Sequence, residues 1–277
     1  MSTRPKSTGP ISTGRSPHRR ALAATIGLSF LFAACGNDGD TSASTTTAAT
    51  DTSAPGAEPV VDPGDGGNYA PQIDPADFVD RIDNPYMSFL PGTRWVYEGD
   101  SDGEPERIEI VVLEDTREVM GINATIVRDT VYVAGELVED TYDWYAQDRN
   151  GNVWYLGEDS KEYENGKVTS AAGSWEGGVD GALPGIVMPA DPTPGEAFRQ
   201  EYYAGEAEDM AEILEVETSL TVPFGAFDQV IVTEDWTPLE PETIEHKYYA
   251  PEVGKLREEK VAGGEGFAEL IEYTPGS

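Results

Sequence analysis

The chain has 277 residues, 38% of them apolar and 9% aromatic, and a formal net charge of -34 from 18 Lys and Arg against 52 Asp and Glu. That apolar share supports a folded core and argues against wholesale disorder. The acidity argues against nucleic-acid binding, which needs a basic footprint, and against electrostatic docking on anionic lipid.

Residues 1–34 carry Arg4, Lys6, Arg15, Arg19 and Arg20 and no acid. An uncharged stretch, Ala21 to Ala34, follows the last two arginines. At ~1.5 Å per residue it reaches about 21 Å, too short to cross a hydrocarbon core of ~30 Å, and its length suits the apolar region of a signal peptide. Leu31-Phe32-Ala33-Ala34-Cys35 resembles the lipobox of bacterial lipoproteins, with Phe32 where Leu is commonest. The resemblance implies diacylglyceryl transfer to the Cys35 thiol and cleavage between Ala34 and Cys35. Cys35 is the only cysteine, so a disulfide within the chain and a cluster of cysteine metal ligands are both ruled out. Two or three acyl chains, at ~0.8 kcal/mol per buried methylene, hold a protein firmly on a membrane. Arg19-Arg20 has the look of a twin-arginine pair, but His18 and Ala21-Leu22-Ala23 fit that motif poorly, which favours ordinary export. The expected location is the extracytoplasmic face of the cell membrane, with the membrane itself as a partner through Cys35.

Residues 35–66 comprise that cysteine and a run of Thr, Ser, Ala, Gly, Asp and Pro in which Val60 and Val61 are the only large apolar side chains. Such a composition builds no core and reads as a disordered tether, with a reach of about 30 Å. Residues 67–277 hold 13 basic and 46 acidic side chains and fit one β domain. Asp74-Pro75 followed by Phe78, Val79 and Ile82 predicts one short N-terminal helix, capped by Asp74 and ended by Asn84-Pro85.

Strand patterns dominate thereafter: 95–97, 107–113, 122–133, 137–147, 153–156, 198–203, 211–222, 229–236, 243–249, 255–261 and 267–273. Ala134-Gly135, Asn150-Gly151 and Asn165-Gly166 mark turns, the last two as type I′ hairpin signals. Residues 173–195 form a Gly/Pro-rich excursion, and in 206–214 a helical period competes with a strand. About ten sequential strands joined by tight turns predict an all-β fold, an antiparallel meander curled into a half-barrel or barrel. Strand 137–147 is apolar on both faces, so it either packs under a second layer or lines a cavity.

Four stretches resemble a group of uncharacterised bacterial exported proteins and lipoproteins: Asn84-Pro85-Tyr86 with Leu90-Pro91-Gly92-Thr93-Arg94-Trp95-Val96-Tyr97-Glu98-Gly99; Asp143-Trp144-Tyr145-Ala146-Gln147-Asp148 with Gly151 to Tyr155; Thr221-Val222-Pro223-Phe224-Gly225-Ala226-Phe227-Asp228; and Tyr248-Tyr249-Ala250-Pro251-Glu252-Val253-Gly254-Lys255. The resemblance implies a curved antiparallel sheet, like the half-barrel of periplasmic lipoprotein carriers, and brings no catalytic residues. As turn chemistry the motifs need no further explanation: Pro fixes φ, Gly takes positive φ and an aromatic ring locks the turn.

No catalytic constellation emerges. Gly99-Asp100-Ser101-Asp102-Gly103 matches a nucleophile elbow, but a strand rather than a helix follows it, which makes it a hairpin turn. His246 is the only histidine after residue 34 and lies in a strand pattern beside Glu245 and Lys247, where an ion-paired histidine is the better reading. Asp148-Arg149-Asn150-Gly151-Asn152 resembles part of a calcium loop without the full spacing, and it coincides with a turn signal. Tyr142, Trp144, Tyr145, Trp154 and Tyr155 lie on two paired strands and form either core or a ligand-facing wall. The expectation is a non-enzymatic, lipid-anchored lipoprotein without cofactor or metal ligands, which binds or carries an apolar or amphipathic ligand or supports envelope assembly. A Ca²⁺-dependent structural or adhesive module is the alternative, and an envelope hydrolase is a more distant one.

Overall fold

The computed structural model describes residues 69–277. Cys35, the signal segment and the tether at 35–66 lie outside the described residues. Sixteen strands form one sheet: β1 (Phe78–Val79), β2 (Arg94–Ser101), β3 (Glu104–Val119), β4 (Ile122–Val133), β5 (Glu136–Asp148), β6 (Val153–Glu164), β7 (Lys167–Ser170), β8 (Trp175–Glu176), β9 (Leu183–Met188), β10 (Ala197–Arg199), β11 (Glu201–Tyr202), β12 (Met210–Val222), β13 (Gly225–Trp236), β14 (Ile244–Ala250), β15 (Gly254–Ala262) and β16 (Gly266–Thr274). The order across the sheet is β10-β12-β13-β14-β15-β16-β2-β3-β4-β5-β6-β9-β11, so most neighbours are also neighbours in sequence. Two-residue turns with both φ positive join β2 to β3 (Asp102-Gly103), β3 to β4 (Met120-Gly121), β4 to β5 (Ala134-Gly135) and β6 to β7 (Asn165-Gly166). That twist matches the right-handed twist of the flanking strands.

The two ends of the order meet. β10 and β11 are separated only by Gln200, yet Phe198 pairs with Ala211 of β12 while Glu201 pairs with Pro184 of β9. The Gln200 amide donates to the Asp209 carbonyl at 2.8 Å. One continuous segment thus bridges both edges and nearly closes the sheet into a barrel, as expected for an antiparallel meander that must protect its edges.

Three local expectations change. The predicted N-terminal helix is a single 3-10 turn, Pro75–Asp77, in which Asp74 accepts from the Ala76 amide. It stops there because Phe78 and Val79 pair with Asp148 and Gln147 of β5, and an isolated helical turn of this length is not stable by itself. The stretch 206–214 resolves as a turn and the start of β12. Asn150-Gly151 lies in a four-residue connection rather than a two-residue hairpin: Gly151 alone takes positive φ, and its amide donates to the Asp148 carbonyl at 3.0 Å.

Buried residues alternate along the strands, as one face of a pleated sheet requires. On β3 these are Glu106, Ile108, Ile110 and Val112; on β4, Val127, Asp129 and Val131; on β5, Glu139, Thr141, Asp143 and Tyr145. They face the main core inside the barrel, which also takes Trp95, Tyr97, Tyr155 and Tyr249. A second cluster on the other face of β5 and β6 gathers Trp144, Ala146, Trp154 and Leu156 with Phe198, Ala211 and Ile213. Both faces of β5 are therefore buried. The switch between them on β6 is made at Gly157, a bulge at φ +139°, where an added Cβ would lie 2.5 Å from the Trp175 carbonyl oxygen.

Candidate functional site: the barrel interior

One end of the barrel is covered by the segment before β2. Asn84 pins it: its side-chain amide donates to the carbonyls of Gly151 and Pro189, its Oδ1 accepts from the Tyr86 amide, and its own amide donates to Gln147 Oε1. The Glu252 amide donates to the Pro85 carbonyl, and Trp95 Nε1 donates to the Val253 carbonyl at 2.6 Å. Held this way, half-buried Tyr86, Met87 and Phe89 lie across the opening. Phe89 contacts Trp95 and Tyr145 at ring separations of 6.0 and 4.9 Å, and Tyr145 stacks on Tyr155 at 4.9 Å.

Beneath these rings is a cavity of ≈ 50 Å³, room for about three to five waters. Its lining is largely apolar and aromatic, with Phe89, Trp95, Ile110, Val127 and Tyr145, and holds three charged side chains, Asp129, Asp143 and Lys255. Three of the four stretches that carry the resemblance converge here: Tyr86 and Trp95 from the first, Asp143 and Tyr145 from the second, Tyr249 and Lys255 from the fourth. A smaller cavity of ≈ 30 Å³ adjoins it, beside Tyr155, Gln200, Glu201, Asp209 and Lys247.

The interior is unusual in its carboxyl groups. Asp129, Glu139, Asp143, Glu158 and Glu201 are each no more than 2% exposed. Some have donors: Tyr155 gives its hydroxyl to Asp143 at 2.6 Å, Trp175 Nε1 donates to Glu201 at 2.6 Å, and Thr141 donates to Glu139 at 2.8 Å. Lys247 pairs with Asp235 at 3.0 Å and Lys255 with Glu258. Asp129 and Glu158 keep both carboxyl oxygens buried without a hydrogen-bond donor. A buried carboxylate without a partner is costly, so these groups hold their protons. Burial pushes the Asp143 carboxyl up to about 7, partly offset by the Tyr155 hydrogen bond. Burial raises Asp209 to about 8, with Lys247 opposing. Asp129 lies well above the usual carboxylate range, chiefly through burial, with Lys255 pulling down and Asp143, Glu139 and Glu258 pushing up. Glu158 is raised by burial and then by Glu201 and Asp143.

The residues singled out from sequence lie elsewhere or serve the frame. Ser101 ends β2 in the hairpin turn, where Asp100 accepts from the Gly103 amide at 2.7 Å. His246 Nε2 lies 3.3 Å from Glu234 Oε2 across the β13–β14 pair, a cross-strand contact. Asp148 offers no free oxygen to an ion: Oδ1 accepts from the Asn150 and Asn152 amides, and Oδ2 from Asn152 Nδ2 and Trp154 Nε1 at 2.9 Å. Among the described residues no group of three or more His, Cys, Asp or Glu is arranged to hold a metal ion. Of the five aromatics, Trp144 and Trp154 fill the second core, Tyr145 and Tyr155 border the interior cavities, and Tyr142 lies beneath Arg128 at 5.4 Å. Sequence reading missed Asp129 and Asp143. The signal was there in phase, since Asp129 shares a strand face with Val127 and Val131.

No protein-family model matches the chain, and no curated protein matches it. Among solved structures it is similar to a Bacteroides fragilis protein inferred to be exported, with a YmcC-like fold, at 15% identity and TM-score 0.42, over 70% of this chain and 100% of that one. It is also similar to a Parabacteroides distasonis protein inferred to be a lipoprotein, at 15% identity and TM-score 0.31, over 70% of this chain and 99% of that one. At these scores the likeness assigns neither a family nor an activity.

Proposed function

We propose that the protein is a lipid-anchored extracytoplasmic lipoprotein, without catalysis of its own, whose barrel binds the end of a small amphipathic molecule. The observation that carries this reading is the interior cavity, lined by aromatic rings and by Asp129, a carboxyl buried without a donor. Pockets of this kind bind by apolar contact and orient by a few polar groups. The half-buried Tyr86, Met87 and Phe89 at the mouth are the side chains whose movement would enlarge it. The anchor rests on the basic segment, the stretch 21–34 and Cys35.

The test uses the full chain, extracted from its own membranes in mild detergent and examined by native mass spectrometry. The expected result is a mature chain that begins at an acylated Cys35 and carries a non-covalent small molecule that leaves on unfolding. Cys35→Ser should move the protein to the soluble fraction. Absence of any co-purifying molecule, together with failure to bind cationic, neutral and anionic amphiphiles added in titration, would overturn the binding reading. A Cys35→Ser protein that stays membrane-bound would overturn the anchor.

A further inference from the structure

We infer that the interior cavity selects an organic ammonium group, for which Asp129 gives up its proton to solvent and becomes the counter-ion, with the rings of Phe89, Trp95 and Tyr145 about it. This rests on the binding reading above and names the chemistry of the ligand's head.

Three features of the cavity point the same way. The first is the unmet need of Asp129. Both of its oxygens lack a donor although the residue is only 2% exposed. The other charged groups around it are already committed: Asp143 accepts from Tyr155, and the Lys255 ammonium is paired with Glu258 and lies 4.9 Å from the Tyr97 ring. Glu139, which also bears on Asp129, accepts from Thr141. A cation brought to Asp129 therefore meets an uncompensated acid rather than an existing ion pair.

The second feature is the lining. Aromatic faces attract cations through their quadrupoles, most strongly when the cation is desolvated. A bare metal ion would need several oxygen or nitrogen ligands, and no such group exists among the described residues. A neutral hydroxyl would satisfy one oxygen of Asp129 but use none of the field of the rings. An anion would find the Lys255 ammonium already paired with Glu258 and would meet the electron-rich faces of the rings.

The third feature is size. The cavity of ≈ 50 Å³ matches a few waters, hence a head of about four or five heavy atoms. A trimethylammonium or primary ammonium head enters, and its apolar remainder lies toward Tyr86, Met87 and Phe89.

The probes are choline, its neutral isostere 3,3-dimethylbutan-1-ol, and butanesulfonate, each titrated into the full chain by calorimetry and followed by tryptophan fluorescence, since Trp95 lines the wall. Choline is expected to bind at least about tenfold more tightly than the alcohol, and the sulfonate least. Asp129→Asn is expected to reduce the choline preference over the alcohol to less than about threefold. Phe89→Ala, at the half-buried mouth, should weaken choline more than the alcohol. The comparison of isosteres needs no variant, so it stands even if a variant folds poorly. Equal binding of choline and the alcohol, or tighter binding of the sulfonate, overturns the ammonium inference and leaves the binding reading intact. An unchanged choline preference in a folded Asp129→Asn protein also overturns it. Binding of none of the three overturns both.

Discussion

Asp148 shows how one side chain can look like a ligand set and act as a staple. In D-x-N-G-N order, acids and amides at short spacing suit a hard cation. They suit a tight connection equally well, because an Asp oxygen can accept amides two and four residues on. The structure takes the second use and adds Trp154, whose indole N–H is buried in the second core and ends on Asp148 Oδ2. Asp148→Ala removes four accepted hydrogen bonds and leaves buried donors without partners. An unsatisfied buried donor costs ≈ 1–3 kcal/mol, so the loss should be about 2–4 kcal/mol, read as a lower urea midpoint. A loss below ~0.5 kcal/mol would show that water replaces the carboxylate easily. Added Ca²⁺ should not alter the midpoint of the parent protein through this loop.

At the scale of elements, the strands were legible, and their phase only where no bulge interrupts the alternation, as at Val127, Asp129 and Val131. Runs such as Ile122–Val133 announce themselves by β-branched residues and terminate at Ala134-Gly135, as the structure has it. Which acid faces inward depends on bulges, and these are set by pairing between distant strands. On β6 the shift at Gly157 puts Glu158 inside, and no local pattern in 153–160 reports it. The closure of the barrel is equally hidden, since β10 and β11 are only three and two residues long. It depends on close approach at Gly185, where an added Cβ would lie 2.4 Å from the Arg199 carbonyl oxygen. Backbone on both sides cannot yield cheaply. Gly185→Ala should therefore part β9 from the 197–202 segment while leaving the β12–β16 and β2–β6 pairs in place. Limited proteolysis should reveal new cleavage within 197–209, with little change in far-ultraviolet circular dichroism. Unchanged protection would mean that the seam shifts as a unit.

For the whole molecule, the net charge divides into two populations that respond differently to solvent. Acids on the surface repel one another through water, and salt screens them; at ~1 M the Debye length is about 3 Å. Acids of the barrel such as Glu106, Asp143 and Asp209 keep their protons to higher pH chiefly because they are buried, and salt does not reach them. Their effect on stability has a definite sign. Glu106 is raised from 4.5 to about 8 and Asp143 from 3.8 to about 7, both mainly by burial. Asp209 rises likewise to about 8. Between the unfolded and folded values the native state binds more protons, so stability falls as pH rises. The stabilisation is complete below about pH 4, is lost progressively as pH passes through 7 to 8, and changes no further above that. The melting temperature should therefore be higher at pH 5 than at pH 8 by about 5 °C or more, since one pKa unit is ~1.4 kcal/mol and a domain of this size moves ~2–4 °C per kcal/mol. At pH 8 it should also rise between low salt and ~1 M NaCl, as the outer acids are screened. The two effects separate in one experiment: repeat the pH comparison in 1 M NaCl. If the pH dependence persists there, it comes from carboxyls that the solvent ions cannot see. If it vanishes, surface repulsion accounts for all of it, and the interior acids are compensated by charges or water that pair with them in solution.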